Sequence, residues 1–334
     1  MMLNEFDSRL DKLCNDFKEI KGKPFRYFYC PILFRDENID LIEGHIINQF
    51  FPNSSRKWTI QRKDIDNFYG SHFEADFASI LYYENGSPGN VLLDKNKSRL
   101  FRPKLLIDDE EIEYYVAEEN IPKKFTQLDL INEDDRITLG LKKTPEDLSN
   151  IIQKKIEIEI SKDIRLQALV SLIKSAHLTL FHMLGYNYAF SSGGYFVGKD
   201  ILGKFFLENK NLDRSDIKKN SQSFFSEYSS IVRPIKKTNL DIRGTLSDHR
   251  MLICLGKNKS PWALVVYVKT SKQLHAVLLP VFDDPDSVAK YLQFIKNNNK
   301  EEIEVSNCIF KDGKWEVNKN SSFLHWPKTG NLIT

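Results

Sequence analysis

His45 lies in the segment EGHIIN, and the segment KDIDNFYGSHFE, which carries an asparagine and several acids, follows a short distance along the chain. A neutral imidazole can deprotonate water. Carboxylate and amide oxygens are ligands that Mg²⁺ or Mn²⁺ prefers, and such an ion neutralises the negative charge that develops on a phosphate during hydrolysis. These residue types together could therefore hydrolyse a phosphodiester, with His45 as the base.

The elements that would position these residues are two strands and a helix. The run FRYFYCPILF predicts a first strand, RDEN a turn, and IDLIEGHIIN a returning strand that ends at His45. After the loop PNSSRKW, apolar residues recur at helical spacing from Ile65 onward, with Asp64 as a candidate N-cap. We therefore expect a hairpin followed by a helix, in the order ββα.

The segments YCPIL, EGHIIN and DNFYGSHFEADF, in that order, resemble the HNH (His-Me finger) endonucleases. The likeness covers residues 29–77 and is more specific in the helical half. It implies a ββα-metal unit in which His45 activates water and Asn67 orients or ligates at the start of the helix. By the same resemblance, Asp66 replaces an asparagine that precedes Asn67.

The chain departs from the zinc-bearing subgroup of that family at several positions. Cys30 matches the first of four cysteines, but the other three positions hold Leu33, Arg62 and Ile65. We therefore expect no structural zinc. The family commonly has an acid directly before the histidine, and Gly44 stands there in this chain.

Helix geometry indicates which residue could replace the missing acid. At about 100° per residue, Glu74 lies almost directly above Asn67, whereas His72 is turned away from it. Glu74 and Asp66 are therefore the predicted ligands of a catalytic Mg²⁺ or Mn²⁺.

A basic cluster surrounds an aromatic residue between the histidine and the helix. Such a cluster would supply phosphate contacts, and the indole of Trp58 could stack on an unpaired base. The alternative is a solvated loop with Trp58 in the core. The predicted nucleic-acid-binding residues are Arg56, Lys57, Trp58, Arg62 and Lys63.

The rest of the chain predicts an α+β protein. Residues 1–83 hold an N-terminal helix and the HNH-like unit, residues 84–150 form an acidic connecting region with short strands, and residues 151–334 combine helices with an antiparallel sheet. Apolar residues from Ile164 onward predict a long buried helix up to Gly185. Three β-rich runs, RMLICLG, PWALVVYVKT and LHAVLLPVF, a helix near 286–297 and strands around KDGKW follow.

Composition narrows the class of protein. The chain has 48 Lys and Arg against 46 Asp and Glu, so no global basic charge favours nucleic acid, and any such surface must be local. Its four cysteines are scattered, which disfavours disulfides. We expect free thiols, no membrane span and a cytoplasmic location.

These observations support two hypotheses. The first is a metal-dependent nuclease that hydrolyses DNA or RNA. The second is a catalytically degenerate HNH-like protein with a nucleic-acid-binding or regulatory role. In both, the C-terminal region is the candidate surface for a protein partner or a homo-oligomer. The abundant Lys, Ile and Asn resemble bacterial usage, and a place in phage defence would follow only from how such families are used.

Overall fold

The N-terminal segment contains a helix, a hairpin and a second helix. Helix α1 spans Glu5–Lys21 and buries Leu13 and Phe17 on one face. Strand β1 (Leu41–His45) pairs antiparallel with β2 (Trp58–Arg62), and α2 (Lys63–Tyr69) follows at once. A π-helical turn, Gly70–Glu74, continues α2. A hairpin followed by a helix is present, but its second strand is β2, which begins at Trp58 where a loop was expected. The helix begins one residue before Asp64, which lies in its first turn.

The predicted strand FRYFYCPILF is wrong, because side chains satisfy its backbone locally. The carboxylate of Asp36 accepts hydrogen bonds from the amides of Arg26, Tyr27 and Phe28, at 2.6, 2.9 and 3.1 Å. Backbone groups satisfied in this way have no need of a strand partner. The hairpin therefore forms between β1 and β2.

The computed structural model describes fifteen stretches of the chain. For the five strands between residues 104 and 160, only the backbone is described. Met1–Glu74 and Arg165–Thr334 form one compact unit, and Ala75–Ile164 forms a second. The predicted division at residues 83 and 150 stays a prediction. The described residues are 5–47, 57–74, 77, 104–107, 110–113, 128–133, 136–141, 157–160, 164–235, 251–255, 261–269, 274–280, 285–297, 302–311 and 314–326.

The second unit contains a five-stranded antiparallel sheet in the order β4-β3-β7-β6-β5. Short strands were expected in this acidic region, and they are present. The strands are β3 (Lys104–Ile107), β4 (Glu110–Glu113), β5 (Leu128–Glu133), β6 (Arg136–Leu141) and β7 (Glu157–Ile160).

The long helix expected in the centre is α3, Ile164–Ala189, and it is interrupted at Gly185 (φ 57°, ψ −139°). By length and apolarity its segment Leu166–Ala189 could cross a membrane, but 89% of the relevant window is buried inside the protein. That burial is consistent with the core helix of a soluble protein. The helical elements that follow are α4 (Ser192–Tyr195), a π-helix (Phe196–Gly203), α5 (Lys204–Asn209), α6 (Arg214–Ser226) and a 3₁₀ turn (Ser229–Ile231).

The π-helix after α4 packs tightly on the N-terminal loop. A Cβ added to Gly198 would lie 2.4 Å from the carbonyl oxygen of Pro31, and one on Gly203 would lie 2.4 Å from that of Ile32. Only glycine permits so close a backbone approach. The N-terminal and central segments thereby form one core.

The C-terminal region is a six-stranded antiparallel sheet in the order β13-β12-β9-β10-β11-β8, with one helix against it. The predicted α+β class and C-terminal antiparallel sheet are confirmed. Tyr291 of that helix donates to the carbonyl of Leu278 at 2.9 Å. The elements are β8 (Val232–Ile235), β9 (Met251–Leu255), β10 (Pro261–Lys269), β11 (Leu274–Leu279), α7 (Pro285–Asn297), β12 (Glu302–Lys311) and β13 (Lys314–His325).

Candidate active site

His45 is the last residue of β1, and its register partner across the hairpin is Trp58. Its side chain is half-buried, and it makes no hydrogen bond to any residue that the structure describes. Directly opposite residues of an antiparallel pair project to the same face of the sheet. The imidazole of His45 therefore projects from the same face of the hairpin as the indole of Trp58.

The carboxylates of Asp66 and Glu74 converge on the ammonium of Lys174. Nζ of Lys174 lies 3.0 Å from Oδ1 of Asp66 and 2.5 Å from Oε1 of Glu74. The lysine projects from the middle of α3 and its side chain is 1% exposed. The site thus joins residues that are 108 and 100 positions apart in the chain.

A change of helix type brings these two acids to one side. From Asp66 to Gly70, four α-helical steps turn the chain by about 400°. Four π-helical steps to Glu74, each roughly 80° because the wider turn is closed by i→i+5 bonds, complete about two full turns. Glu74 therefore lies above Asp66. The expectation that it lies above Asn67 is wrong, because it assumed one continuous α-helix.

Burial and charge act in opposite directions on the pKa values of this cluster. Burial raises the pKa of Glu74, the ammonium of Lys174 opposes that rise, and the charge of Asp66 adds to it. A positive charge on His45 also lowers the pKa of Glu74, so the imidazole lies within electrostatic range of the carboxylate. Burial alone would lower the pKa of Lys174, but the two carboxylates raise it overall. The lysine therefore stays an ammonium.

Two other polar residues of this segment lie away from the carboxylate cluster. Asn67 is exposed on α2, and its predicted orienting or ligating role stays a prediction. The ring of His72 packs against that of Phe68, with 5.1 Å between centroids. His72 thus belongs to the aromatic packing around α2.

Gly44, the residue in the place of the expected acid, is covered by Gln61. A Cβ on Gly44 would lie 2.2 Å from Nε2 and 2.5 Å from Cδ of that side chain. Gln61 is 4% exposed, and neither its Oε1 nor its Nε2 has a partner among the described residues. The space beside Gly44 is therefore filled by protein.

The predicted basic cluster divides between the core and the surface. The guanidinium of Arg62 is buried between the carboxylates of Glu37 and Asp64, the latter at 2.8 Å. Lys63 is exposed and lies 3.8 Å from Asp40, and Lys57 is half-buried. Arg56 lies outside the described residues.

Trp58 packs on helix α1. Its indole is stacked parallel to the ring of Phe6, with centroids 6.4 Å apart, and the guanidinium of Arg9 lies 4.2 Å from its ring. Arg9 also donates to the carbonyl of Trp58 and contacts Nδ1 of His182 at 2.8 Å. The half-buried indole is thus already stacked on one side, and the nucleic-acid role of the cluster stays a prediction.

Cys30 is the one cysteine among the four positions that correspond, by the resemblance, to zinc ligands. The sulfur of Cys30 accepts hydrogen bonds from the amides of Ile32 and Leu33, both at 3.4 Å. Burial raises the pKa of Cys30 to about 11, so the thiol stays protonated. The positive charge of Arg62 opposes this rise in pKa. The ion pair between Arg62 and Glu37 links the loop before β1 to the start of α2.

The carboxylate pair fits part of a divalent metal site. Asp66 and Glu74 supply the hard oxygen ligands that Mg²⁺ and Mn²⁺ prefer. Lys174 engages Oδ1 and Oε1, and the other oxygen of each carboxylate makes no hydrogen bond to the described residues. In the part of the chain that is described, no three His, Cys, Asp or Glu side chains are grouped as a complete metal site.

Comparison with family models, curated proteins and solved structures finds no match. The HNH resemblance therefore depends on the quoted residues alone.

Sequence reasoning missed Lys174 and Gln61. The sequence did contain a signal for Lys174. It lies four residues after Val170 and four before Leu178, which are both buried, so it shares their face of the helix. A lysine on a buried stripe needs a charged partner. Gln61 had no comparable signal, because alternation in a short strand does not show which side chain covers a glycine.

Proposed function

We propose that this protein hydrolyses phosphodiester bonds of DNA or RNA in a metal-dependent reaction at His45. The observation that carries the proposal is the convergence of Asp66 and Glu74 beside a histidine at the end of a hairpin strand. Paired carboxylates near a base that makes no other described contact are the groups that such a hydrolysis needs.

His45 acts as the general base in this reaction. A nitrogen of the neutral imidazole accepts a proton from water, and the resulting hydroxide attacks phosphorus while the leaving oxygen departs. The hairpin carries the imidazole at the end of β1, and the carboxylate of Glu74 is coupled to it electrostatically. His45 is among the charges that act on the pKa of Glu74, and this supports the coupling.

Asp66 and Glu74 would hold the metal ion through the oxygens that Lys174 does not engage. When bound, Mg²⁺ or Mn²⁺ supplies Lewis acidity that neutralises charge at the phosphate. Lys174 is a positioning residue, because its ammonium holds both carboxylates and offsets their mutual repulsion. The exposed Asn67 would contact the substrate phosphate.

The packing around Gly44 and Lys174 favours a second candidate function. Gln61 fills the space beside Gly44, and an ammonium already neutralises the carboxylate pair. An HNH-like unit with these features could serve only as a scaffold for nucleic-acid binding or regulation. The first function predicts cleavage that His45→Ala abolishes, whereas the second predicts no cleavage by the wild type or the variant.

Cleavage of labelled single-stranded and duplex DNA and RNA by the full chain, with Mg²⁺, Mn²⁺ or EDTA, tests the proposal. His45→Ala should reduce metal-dependent cleavage by about 100-fold or more, as expected for loss of a general base. Its circular dichroism and thermal midpoint should match those of the wild type. His72→Gln is the matched control, because this histidine packs on Phe68, and it should keep the activity.

Equal cleavage by the wild type and His45→Ala would contradict the proposed mechanism. Absence of cleavage by the wild type on all four substrates, with nucleic-acid binding retained, would establish the scaffold function.

A further inference from the structure

A row of aromatic rings lies at the surface where the loop after α1 meets the end of α3. The ring of Phe190 is 6.2 Å from that of Phe34, and Phe34 is 4.8 Å from Tyr195. Tyr29 lies beside the row, 5.4 Å from Phe190. Phe34, Phe190 and Tyr29 are half-buried, and Tyr195 is 37% exposed. We call these four residues the aromatic row.

Each end of the aromatic row carries an exposed lysine over a ring. Nζ of Lys21 lies 3.8 Å from the ring centroid of Phe190, and Nζ of Lys199 lies 4.5 Å from that of Tyr195. Ammonium groups over aromatic faces are stabilised by the ring quadrupole. Two cations therefore lie over the faces of the two outer rings.

Further basic residues of the neighbouring loop extend the positive charge. Lys18, Lys23 and Arg26 are all exposed, within a stretch that has only Glu19 as an acid. The nearby carboxylate of Asp36 is held by three backbone amides, which offset its charge. Asp200 is an exposed acid beside Lys199, so the charge around the aromatic row is mixed, with basic residues in the majority.

Phe34 has a left-handed backbone, with φ at 56°. Glycine or asparagine adopts this conformation more easily, and a bulky aromatic residue there is strained. The strained backbone presents the phenylalanine ring between Tyr29 and Tyr195. A residue kept at this cost is consistent with a use for its ring beyond the turn.

We propose that the aromatic row with Lys21 and Lys199 binds single-stranded nucleic acid. On binding, the two lysines turn from the ring faces to the phosphates, and bases stack on the faces that they leave. Aromatic side chains interleaved with cations are what unpaired strands require, because every base has a stacking face and every phosphate a charge. Duplex DNA or RNA does not fit, since its bases are already stacked on each other. This proposal rests on the proposed function only for the class of ligand.

Binding of fluorescent single-stranded oligonucleotides to the His45→Ala chain, measured by anisotropy in EDTA, tests the surface without cleavage. Tyr195→Ala should weaken binding by about 5- to 140-fold, the range for loss of one stacked base. Phe323→Ala is the matched control, because Phe323 is 67% exposed on β13 and should leave the affinity unchanged. An abasic oligonucleotide should bind as weakly to the wild type as to Tyr195→Ala.

Salt dependence separates the lysines from the rings. Lys199→Gln should lower the slope of log affinity against log salt by about 0.7, as for loss of one phosphate contact on a single strand. Lys218→Gln, an exposed lysine of α6, is the control and should keep the slope. Unchanged affinity in Tyr195→Ala, or equal affinity for duplex and single strand, would overturn the proposal. Retained binding with no cleavage by the wild type would overturn the proposed hydrolysis and leave this surface established.

Discussion

The side chain of Gln61 covers Gly44, with its Nε2 at 2.2 Å from the place where a Cβ of residue 44 would be. The glycine before His45 thus leaves the space that the side chain of Gln61 occupies. An acid at position 44 would have to displace a side chain that is 4% exposed.

Gly44→Ala should destabilise the protein by about 1–3 kcal/mol, because the new methyl group overpacks the site. In a Gln61→Ala background the same change should be neutral or slightly stabilising, since alanine has less backbone freedom than glycine in the unfolded chain. A double-mutant cycle of urea unfolding measures the coupling. Additive free energies in that cycle would show that Gln61 does not fill the space.

Gln61→Met should stabilise the protein by about 1 kcal/mol or more. The amide of Gln61 is buried with neither polar atom paired among the described residues, and an apolar side chain of similar shape removes that desolvation cost. Thermal and urea unfolding provide the measurement. A loss of stability would indicate that the amide has a hydrogen-bond partner, such as an ordered water molecule.

Lys174→Met should destabilise the protein by about 3–5 kcal/mol, because Glu74 would remain buried without a compensating cation. Mn²⁺ should raise the thermal midpoint of this variant more than that of the wild type, since a metal ion can replace the missing charge. Lys290→Met, on the exposed side of α7, should change stability by less than about 0.5 kcal/mol. A variant as stable as the wild type would contradict the role given to Lys174.

Arg62→Met should cost about 1–3 kcal/mol, because the buried guanidinium links the loop at Glu37 to the start of α2. Arg35→Met is the matched control. Its guanidinium lies 3.7 Å from the same Glu37, but the side chain is 53% exposed, so its loss should cost about 0–1 kcal/mol. If both variants lost the same free energy of unfolding in urea, burial of Arg62 would not strengthen its ion pairs.

Stability should fall as pH decreases from 6.5 to 4 because of His177. Burial lowers the pKa of this histidine from 6.5 to about 4. Within that window the unfolded chain binds a proton that the folded chain does not, so the free energy of unfolding falls with pH by about 3 kcal/mol. His177→Gln should remove this part of the pH dependence, and urea unfolding at several pH values checks it. Parallel curves for both proteins would exclude His177 as the cause.

Periodicity was sufficient to predict much of the fold. Apolar spacing predicted α3 up to Gly185, and the β-rich runs predicted the C-terminal strands, because burial on one face leaves a regular pattern. The run FRYFYCPILF was misread, because its β-prone residues are held in a turn by Asp36 and Cys30. Side-chain bonds to the backbone leave no mark on a hydropathy pattern.

The candidate site was predictable only in its N-terminal half. Helix geometry selected Glu74 as a possible ligand, with Asp66 as the other acid within reach, and both carboxylates do contact Lys174. Their alignment depends on the π-helical turn at Gly70–Glu74, which no residue spacing indicated. Their partner, Lys174, is on a distant helix, and only three-dimensional packing brings it to them.

The distance along the chain between the acids and their lysine has a consequence during synthesis. Asp66 and Glu74 leave the ribosome 108 and 100 residues before Lys174, which corresponds to a delay of about 5–20 s at ordinary elongation rates. Until α3 emerges, nothing neutralises the two carboxylates, and the nascent N-terminal segment keeps them hydrated. A ribosome stalled within Ala75–Ile164 would therefore carry both acids without the lysine that pairs with them.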